Sequence, residues 1–179
     1  DDGYRDNYSS AFPILKRHGV PATFFLTTGF LDRPQVPWWD EIAWMVRSST
    51  LSELKPSQWL STTLNLDETS RERAISRLLS IYKKLPGEEA PEYVEWLASA
   101  LETGRCPQGL ADELWMTWDM VREMEANGMS FGGHTVTHPI LANLSSEQQE
   151  WEVAECQNRL TRELGHPADS FSYPVGGRS

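Results

Sequence analysis

Two histidines stand four residues apart in His134-Thr135-Val136-Thr137-His138, a spacing that lets both imidazoles reach one metal ion from a single turn of chain. Near the other end of the sequence, Asp1-Asp2-Gly3 sets two carboxylates side by side. Neighbouring side chains of an extended segment point in different directions, so one carboxylate can bind an ion while the other faces a bound water. Taken singly, a structural pair of capping histidines accounts for the first motif and an acidic surface turn for the second. Taken together, Asp2, His134 and His138 offer three ligands and leave coordination positions open for water and substrate, as in a catalytic site. An ion held there polarises a carbonyl and acidifies its water, and Asp1 is the carboxylate that accepts the proton. The chemistry this set points to is hydrolysis.

The elements that must position these groups follow from the pattern around them. Residues 7–17 read as a helix capped by Asn7 and stopped by Gly19, with Pro13 an unfavourable residue for its middle. Residues 22–27 read as a buried strand. From about residue 31 to 115, prolines at 34, 37, 56, 86, 91 and 107 punctuate three helical patterns, at 40–47, 67–84 and 91–102, rather than strands. This block reads as a mainly helical insertion. After Thr117, a cap, residues 118–126 form a helix stopped by Asn127-Gly128, and 129–131 a short strand leading into Gly132-Gly133-His134. Ser145 with Gln148 makes a capping box for a helix reaching Leu164 before Gly165, and residues 170–173 form the last strand. Helices alternating with single strands imply parallel β/α units, whose active groups gather at the carboxyl ends of strands.

Composition bounds the partners. The chain has 179 residues, the size of one domain, with 39% hydrophobic and 11% aromatic residues, which fits a soluble globular protein despite a mean hydropathy of -0.50. Sixteen Lys and Arg against 26 Asp and Glu give a net charge of -10, which repels phosphate backbones and argues against nucleic acid. Two cysteines, Cys106 and Cys156, make no disulfide framework, and no apolar run approaches the roughly 18 residues of a membrane span. The chain starts without methionine at Asp1-Asp2-Gly3 and stops just after a strand-like run, so it reads as a fragment cut at both ends.

Three stretches in order resemble the NodB-homology polysaccharide deacetylases, carbohydrate esterase family 4. The first comprises Asp1-Asp2-Gly3-Tyr4, Phe12-Pro13-Ile14-Leu15 and Gly19-Val20-Pro21-Ala22-Thr23-Phe24-Phe25; the second is Gly133-His134-Thr135-Val136-Thr137-His138-Pro139; the third is Phe171-Ser172-Tyr173-Pro174-Val175-Gly176. The resemblance implies Asp1 as catalytic base, Asp2, His134 and His138 as ligands of a divalent ion, zinc being the one expected, and an N-acetyl carbonyl as the group attacked. It also implies an oxyanion contact from the backbone N–H of Val175, and Tyr173 and Pro174 beside the substrate. An arginine that often orients the base is replaced at the matching position by Ser172. The family's later aspartate and general-acid histidine are expected beyond Ser179.

Of the eight tryptophans, Trp38 and Trp39 are the candidates for stacking on a sugar ring, with core packing the default. His18 and His166 sit beside glycines at helix ends, where a cationic side chain is favoured, and are read as structural. The expected fold is α/β, an incomplete, distorted (β/α) barrel of the polysaccharide deacetylase type with a mainly helical insertion. The expected function is metal-dependent removal of N-acetyl groups from a chitin-, peptidoglycan- or exopolysaccharide-like polymer. The competing expectations are an amidohydrolase acting on another non-peptide C–N bond and an inactive metal-containing carbohydrate-binding domain. The resemblance leans towards a bacterial envelope or secreted role, with a cytoplasmic one left open.

Overall fold

The computed structural model describes residues 1–175, so Gly176 of the third motif lies outside the described residues. In chain order, a π-helical turn at Asn7–Ala11 runs into α1 (Phe12–His18), followed by β1 (Thr23–Leu26) and α2 (Thr28–Asp32). Next come α3 (Trp38–Ser48), β2 (Glu53–Leu54), β3 (Leu64–Asn65), α4 (Arg71–Tyr82) and α5 (Ala90–Ala100). The chain continues through α6 (Trp118–Ala126), β4 (Ser130–Gly133) and α7 (Ser146–Leu164). These elements form two compact units, one from Asp1–Gln35 with Ala111–Ser179 and the other from Val36–Leu110.

The first unit is built on β1 and β4, which pair in parallel with Thr23 opposite Ser130 and Leu26 opposite Gly133. The aromatic and aliphatic residues of β1 alternate inward: Phe24 and Leu26 are buried and join Phe12, Phe131, Met124 and Leu160 in one core. Pro13 falls in the first turn of α1, where its missing N–H is not needed, and the preceding turn widens to π geometry instead of continuing as the expected helix over 7–17. Gly19 ends α1 in the left-handed conformation at φ 63, donating to the Leu15 and Lys16 carbonyls. The Thr117 hydroxyl caps α6 by accepting from the Met120 N–H, and Ser145 and Gln148 form the expected capping box of α7.

Three expectations are corrected. The strand expected over 22–27 stops at Leu26, because the Thr27 N–H leaves the sheet for the Asp2 carbonyl. The strand expected over 129–131 instead covers Ser130–Gly133: a side chain at Gly132 would lie 2.6 Å from the Phe25 ring, and one at Gly133 would lie 2.9 Å from the Phe171 ring. The last strand, expected over 170–173, is reduced to a single parallel bridge between Phe171 and Gly133.

The second unit is helical as expected but also holds the short antiparallel pair β2–β3, which the proline-punctuated pattern concealed. Its helices begin and end a few residues away from 40–47, 67–84 and 91–102; α4 starts at Arg71 because the Asp67 carboxylate turns back to the Thr69 hydroxyl and the Ser70 N–H. Tyr93 is fully buried between α4 and α5 and its hydroxyl donates to the Leu78 carbonyl at 3.0 Å. Glu41, buried on α3, accepts from both the Nε and Nη2 of Arg105 and from the Cys106 N–H. The described residues of its hydrophobic core all lie within Val36–Leu110.

In the first unit, Gly29 on α2 donates its N–H to the Val136 carbonyl at 2.9 Å, and a Cβ there would lie 2.5 Å from that same oxygen. Alanine favours helices over glycine by up to about 1 kcal/mol. Gly29→Ala is nevertheless expected to lower stability by about 1–3 kcal/mol, since backbone must move to admit the methyl; a urea transition midpoint unchanged or raised would contradict this contact.

Candidate metal centre

His134 follows the carboxyl end of β4, His138 lies in the loop beyond it, and Asp2 sits in a turn ahead of the Tyr4–Trp115 bridge. The His134 N–H donates to the Leu26 carbonyl at 3.0 Å, the rung that follows the β1–β4 register, so the imidazole stands just past β4. Asp2 is held by the backbone on both sides. Its own carbonyl accepts the Thr27 N–H at 3.2 Å, the Gly3 carbonyl accepts the Met116 N–H at 2.9 Å, and the Arg5 N–H donates to the Leu114 carbonyl at 2.7 Å. Tyr4 stacks on Trp115 with ring centroids 4.6 Å apart, and Trp115 donates its indole N–H to the Gln35 carbonyl.

Asp2 Oδ1 lies 3.1 Å from Nε2 of His134 and 3.1 Å from Nε2 of His138. Among the described residues, Asp2, His134 and His138 form the cluster whose ligand atoms all fall within 4.8 Å of one another. Both imidazoles are buried. The Nδ1 of His134 lies 2.8 Å from the Ser172 carbonyl, which can only accept, so Nδ1 carries a proton and Nε2 faces the Asp2 oxygen, donating to it when protonated and offering a lone pair to an ion when not. Two lone pairs at that separation repel unless a proton or a cation stands with them. Two ligands about 2.0–2.1 Å from one tetrahedral ion are themselves about 3.3 Å apart. The donor types and their spacing therefore fit a divalent cation.

Burial works against ionisation of Asp2, but hydrogen bonds from His134 and His138 and their charge outweigh it and hold the carboxyl well below the usual carboxylate range. Asp1 is exposed, and its carbonyl accepts the Gly3 N–H at 3.0 Å. Tyr173 is 70% exposed and meets Phe171 edge to face, Pro174 is buried, and Val175 is exposed. Trp38 and Trp39 belong to the second unit, where Trp38 stacks on Tyr82 at 4.1 Å with its edge partner Trp39 at 5.2 Å. His18 closes α1, and His166 pairs with Glu125 at 2.9 Å.

Five non-glycine residues have positive φ among those described, and four of them are Asp2 (73), Thr135 (68), His138 (57) and Val175 (62). Each such conformation costs on the order of 1 kcal/mol or more and persists where neighbours over-determine it. Here the neighbours are identifiable. The Thr27 hydroxyl donates to the His134 carbonyl at 3.3 Å, the Thr28 and Gly29 N–H groups donate to the Thr135 and Val136 carbonyls, and the Thr135 hydroxyl accepts the His138 N–H at 3.1 Å. Glu152 of α7, buried to 5% exposure, accepts the N–H groups of Val136 at 2.7 Å and Thr137 at 3.0 Å and the Thr137 hydroxyl.

Thr27 and Glu152 are missing from the sequence-based site. Glu152 carries a signal that could have found it: it shares a four-residue spacing with buried Cys156 and Leu160, and a charge on the apolar stripe of an amphipathic helix needs a partner. Thr27 has no such signal, since a threonine at a strand end is ordinary.

Because the folded-state pKa of Asp2 is depressed, its contribution to stability is complete above the unfolded value and is lost only as pH falls through the lower folded value. In a carbon-detected pH titration of the metal-free protein, the Asp2 carboxyl is expected to stay ionised through pH 3.8, the ordinary midpoint; a midpoint at or above that value would contradict the geometry.

Comparison with solved structures places the fold. Streptococcus pyogenes deacetylase PplD in complex with acetate aligns over 100% of this chain and 45% of its own, with a TM-score of 0.55 and 19% identity. IcaB from Ammonifex degensii aligns over 100% and 49%, with a TM-score of 0.51 and 17% identity, and the BpsB deacetylase domain from Bordetella bronchiseptica over 100% and 55%, with 0.51 and 13%. The chain thus spans about half the length of the structures it matches, and its mixed α/β architecture is an incomplete version of their (β/α) barrel type. The family model described as polysaccharide deacetylase matches residues 1–179, the whole of the sequence, and the chain belongs to the polysaccharide deacetylase family.

Proposed function

We propose that the protein acts as a metal-dependent hydrolase that removes N-acetyl groups from an amino-sugar polysaccharide. The observation that carries this reading is the approach of one Asp2 oxygen to the Nε2 atoms of both His134 and His138 at 3.1 Å, in a chain of the deacetylase family. A divalent ion, for which zinc is the candidate, would supply Lewis-acid polarisation of the acetyl carbonyl and a more acidic water. Asp2, His134 and His138 would hold it.

Asp1, exposed beside the ligand Asp2, is the base in this reading and takes the proton from the attacking water. The Val175 N–H donates to the oxyanion as the carbonyl becomes tetrahedral. Tyr173, largely exposed on the same segment, offers its ring to the sugar, with buried Pro174 fixing the turn between them. Trp38 is a weaker platform, since one face of its ring is covered by Tyr82. A net charge of -10 leaves a neutral or cationic glycan unrepelled and disfavours nucleic acid. No helix among the described residues is long and apolar enough to cross a membrane.

Two measurements test the reading. Zinc titration of the chain is expected to show one tight site, weakened in Asp2→Ala and in His134→Ala by more than the roughly 10- to 100-fold that losing a supporting residue costs; unchanged affinity in both would sink the site. Acetate release by the full-length protein from N-acetylated chitooligosaccharides and peptidoglycan fragments is expected to fall about 10²- to 10⁴-fold in Asp1→Asn. Equal turnover would remove Asp1 from its role, and no release from any acetylated glycan by zinc-loaded protein would favour a metal-containing binding domain.

A further inference from the structure

We infer that Glu152 is the positioning residue of the histidine pair, holding the loop between His134 and His138 in the shape that brings both imidazoles to one ion. The inference rests on the metal-binding reading above. It starts from a physical oddity: Glu152 is buried on α7 in line with Cys156 and Leu160, where an unpartnered carboxylate would be costly. Its partners lie in the three residues between the two histidines. One oxygen accepts the N–H groups of Val136 and Thr137 at 2.7 and 3.0 Å, and the other accepts the Thr137 hydroxyl.

The loop has reason to need this. Thr135 and His138 both sit at positive φ, so the chain reverses within five residues and its N–H groups point inward rather than along a ladder. The opposite side of the loop is fixed by the α2 amides, which donate to the Thr135 and Val136 carbonyls at 3.1 and 2.9 Å. Carbonyls are thus satisfied from α2 and amides from Glu152, and the loop is held from both sides. Without the carboxylate, the half-buried Val136 and Thr137 N–H groups lose their acceptor, and turning them to water or to another acceptor rotates peptides adjacent to His138. Glu152 touches neither the ion nor the substrate; it acts through the loop.

The experiment separates this role from the metal reading by using one readout that needs no metal. Amide hydrogen exchange on the metal-free full chain is expected to show Val136 and Thr137 protected in the wild type and exposed in Glu152→Ala. The probe of function is Co²⁺ alone, followed by its visible absorption: Glu152→Ala should bind about 10- to 100-fold more weakly with an altered band shape. Glu152→Gln, whose amide oxygen can still accept both N–H groups, should recover protection and most of the affinity. Should Glu152→Ala fail to fold, Glu152→Gln and Thr137→Val carry the test, the latter losing only the hydroxyl contact and shifting affinity less than tenfold. Protection unchanged in Glu152→Ala overturns the clamp whether or not the site binds metal. Exposed amides with unchanged cobalt affinity and spectrum overturn the positioning role alone. Absence of cobalt binding by a wild type whose amides are protected overturns the metal reading, and the positioning claim with it, while leaving the loop contact intact. If Glu152→Gln behaves like Glu152→Ala, the hydrogen-bond account is wrong.

Discussion

The hydrogen bond from the His134 N–H to the Leu26 carbonyl extends the β1–β4 ladder by one rung, and the site depends on where that ladder stops. At Leu26 the two parallel strands still share register; at Thr27 and His134 both chains turn away. Thr27 spends the groups so released on the ligand segments, its N–H on the Asp2 carbonyl and its hydroxyl on the His134 carbonyl. A fully buried threonine therefore connects the two ligand segments, which are separated by more than a hundred residues of sequence. Ending the ladder one residue later would return Thr27 to the sheet and leave Asp2 without that tie.

Bringing Asp2, His134 and His138 together at the end of so short a sheet has a conformational cost. Left-handed backbone at Asp2, Thr135 and His138 adds on the order of a few kcal/mol of strain in all. Opposing it are half-buried hydrogen bonds to a charged acceptor at Glu152, of a kind worth about 1.5–3 kcal/mol each at most, and the neutral backbone bonds from α2. The two are of similar size. Strain of this kind survives only inside a surround that leaves the loop no alternative, and the tightness at Gly29 and Gly133 is part of that surround.

What could be read from the sequence divides along physical lines. The His134–His138 pair is legible because residue type and close spacing are both displayed by a sequence, whereas Asp2, brought beside it in the fold, is legible by residue type alone. The caps at Thr117 and Ser145 and the stop at Gly165 are legible because they act over three or four residues. Strand ends at Leu26 and Gly133 are not, since they are set by partners far outside any local window, the Asp2 carbonyl for one and the Phe171 ring for the other. The β2–β3 pair, two residues on each side, is too short to leave a period. Glu152 stands between these cases: its burial is legible from α7, whereas its partners are not.

The side chain at position 172 has no part in orienting the proposed ligand His134. Ser172 acts on His134 through its backbone: the carbonyl accepts the Nδ1 proton at 2.8 Å, and its own N–H donates to the Gly133 carbonyl at 2.9 Å. Any residue at position 172 that keeps this bridge delivers the same carbonyl to the same nitrogen, so the tautomer that presents Nε2 to the ion does not depend on the side chain. Asp1 is exposed, and in the proposed role of base it would work together with the acidity that a bound ion would confer on its water. The main chain of the third motif thus fixes the orientation of the His134 imidazole, independently of which side chain stands at position 172.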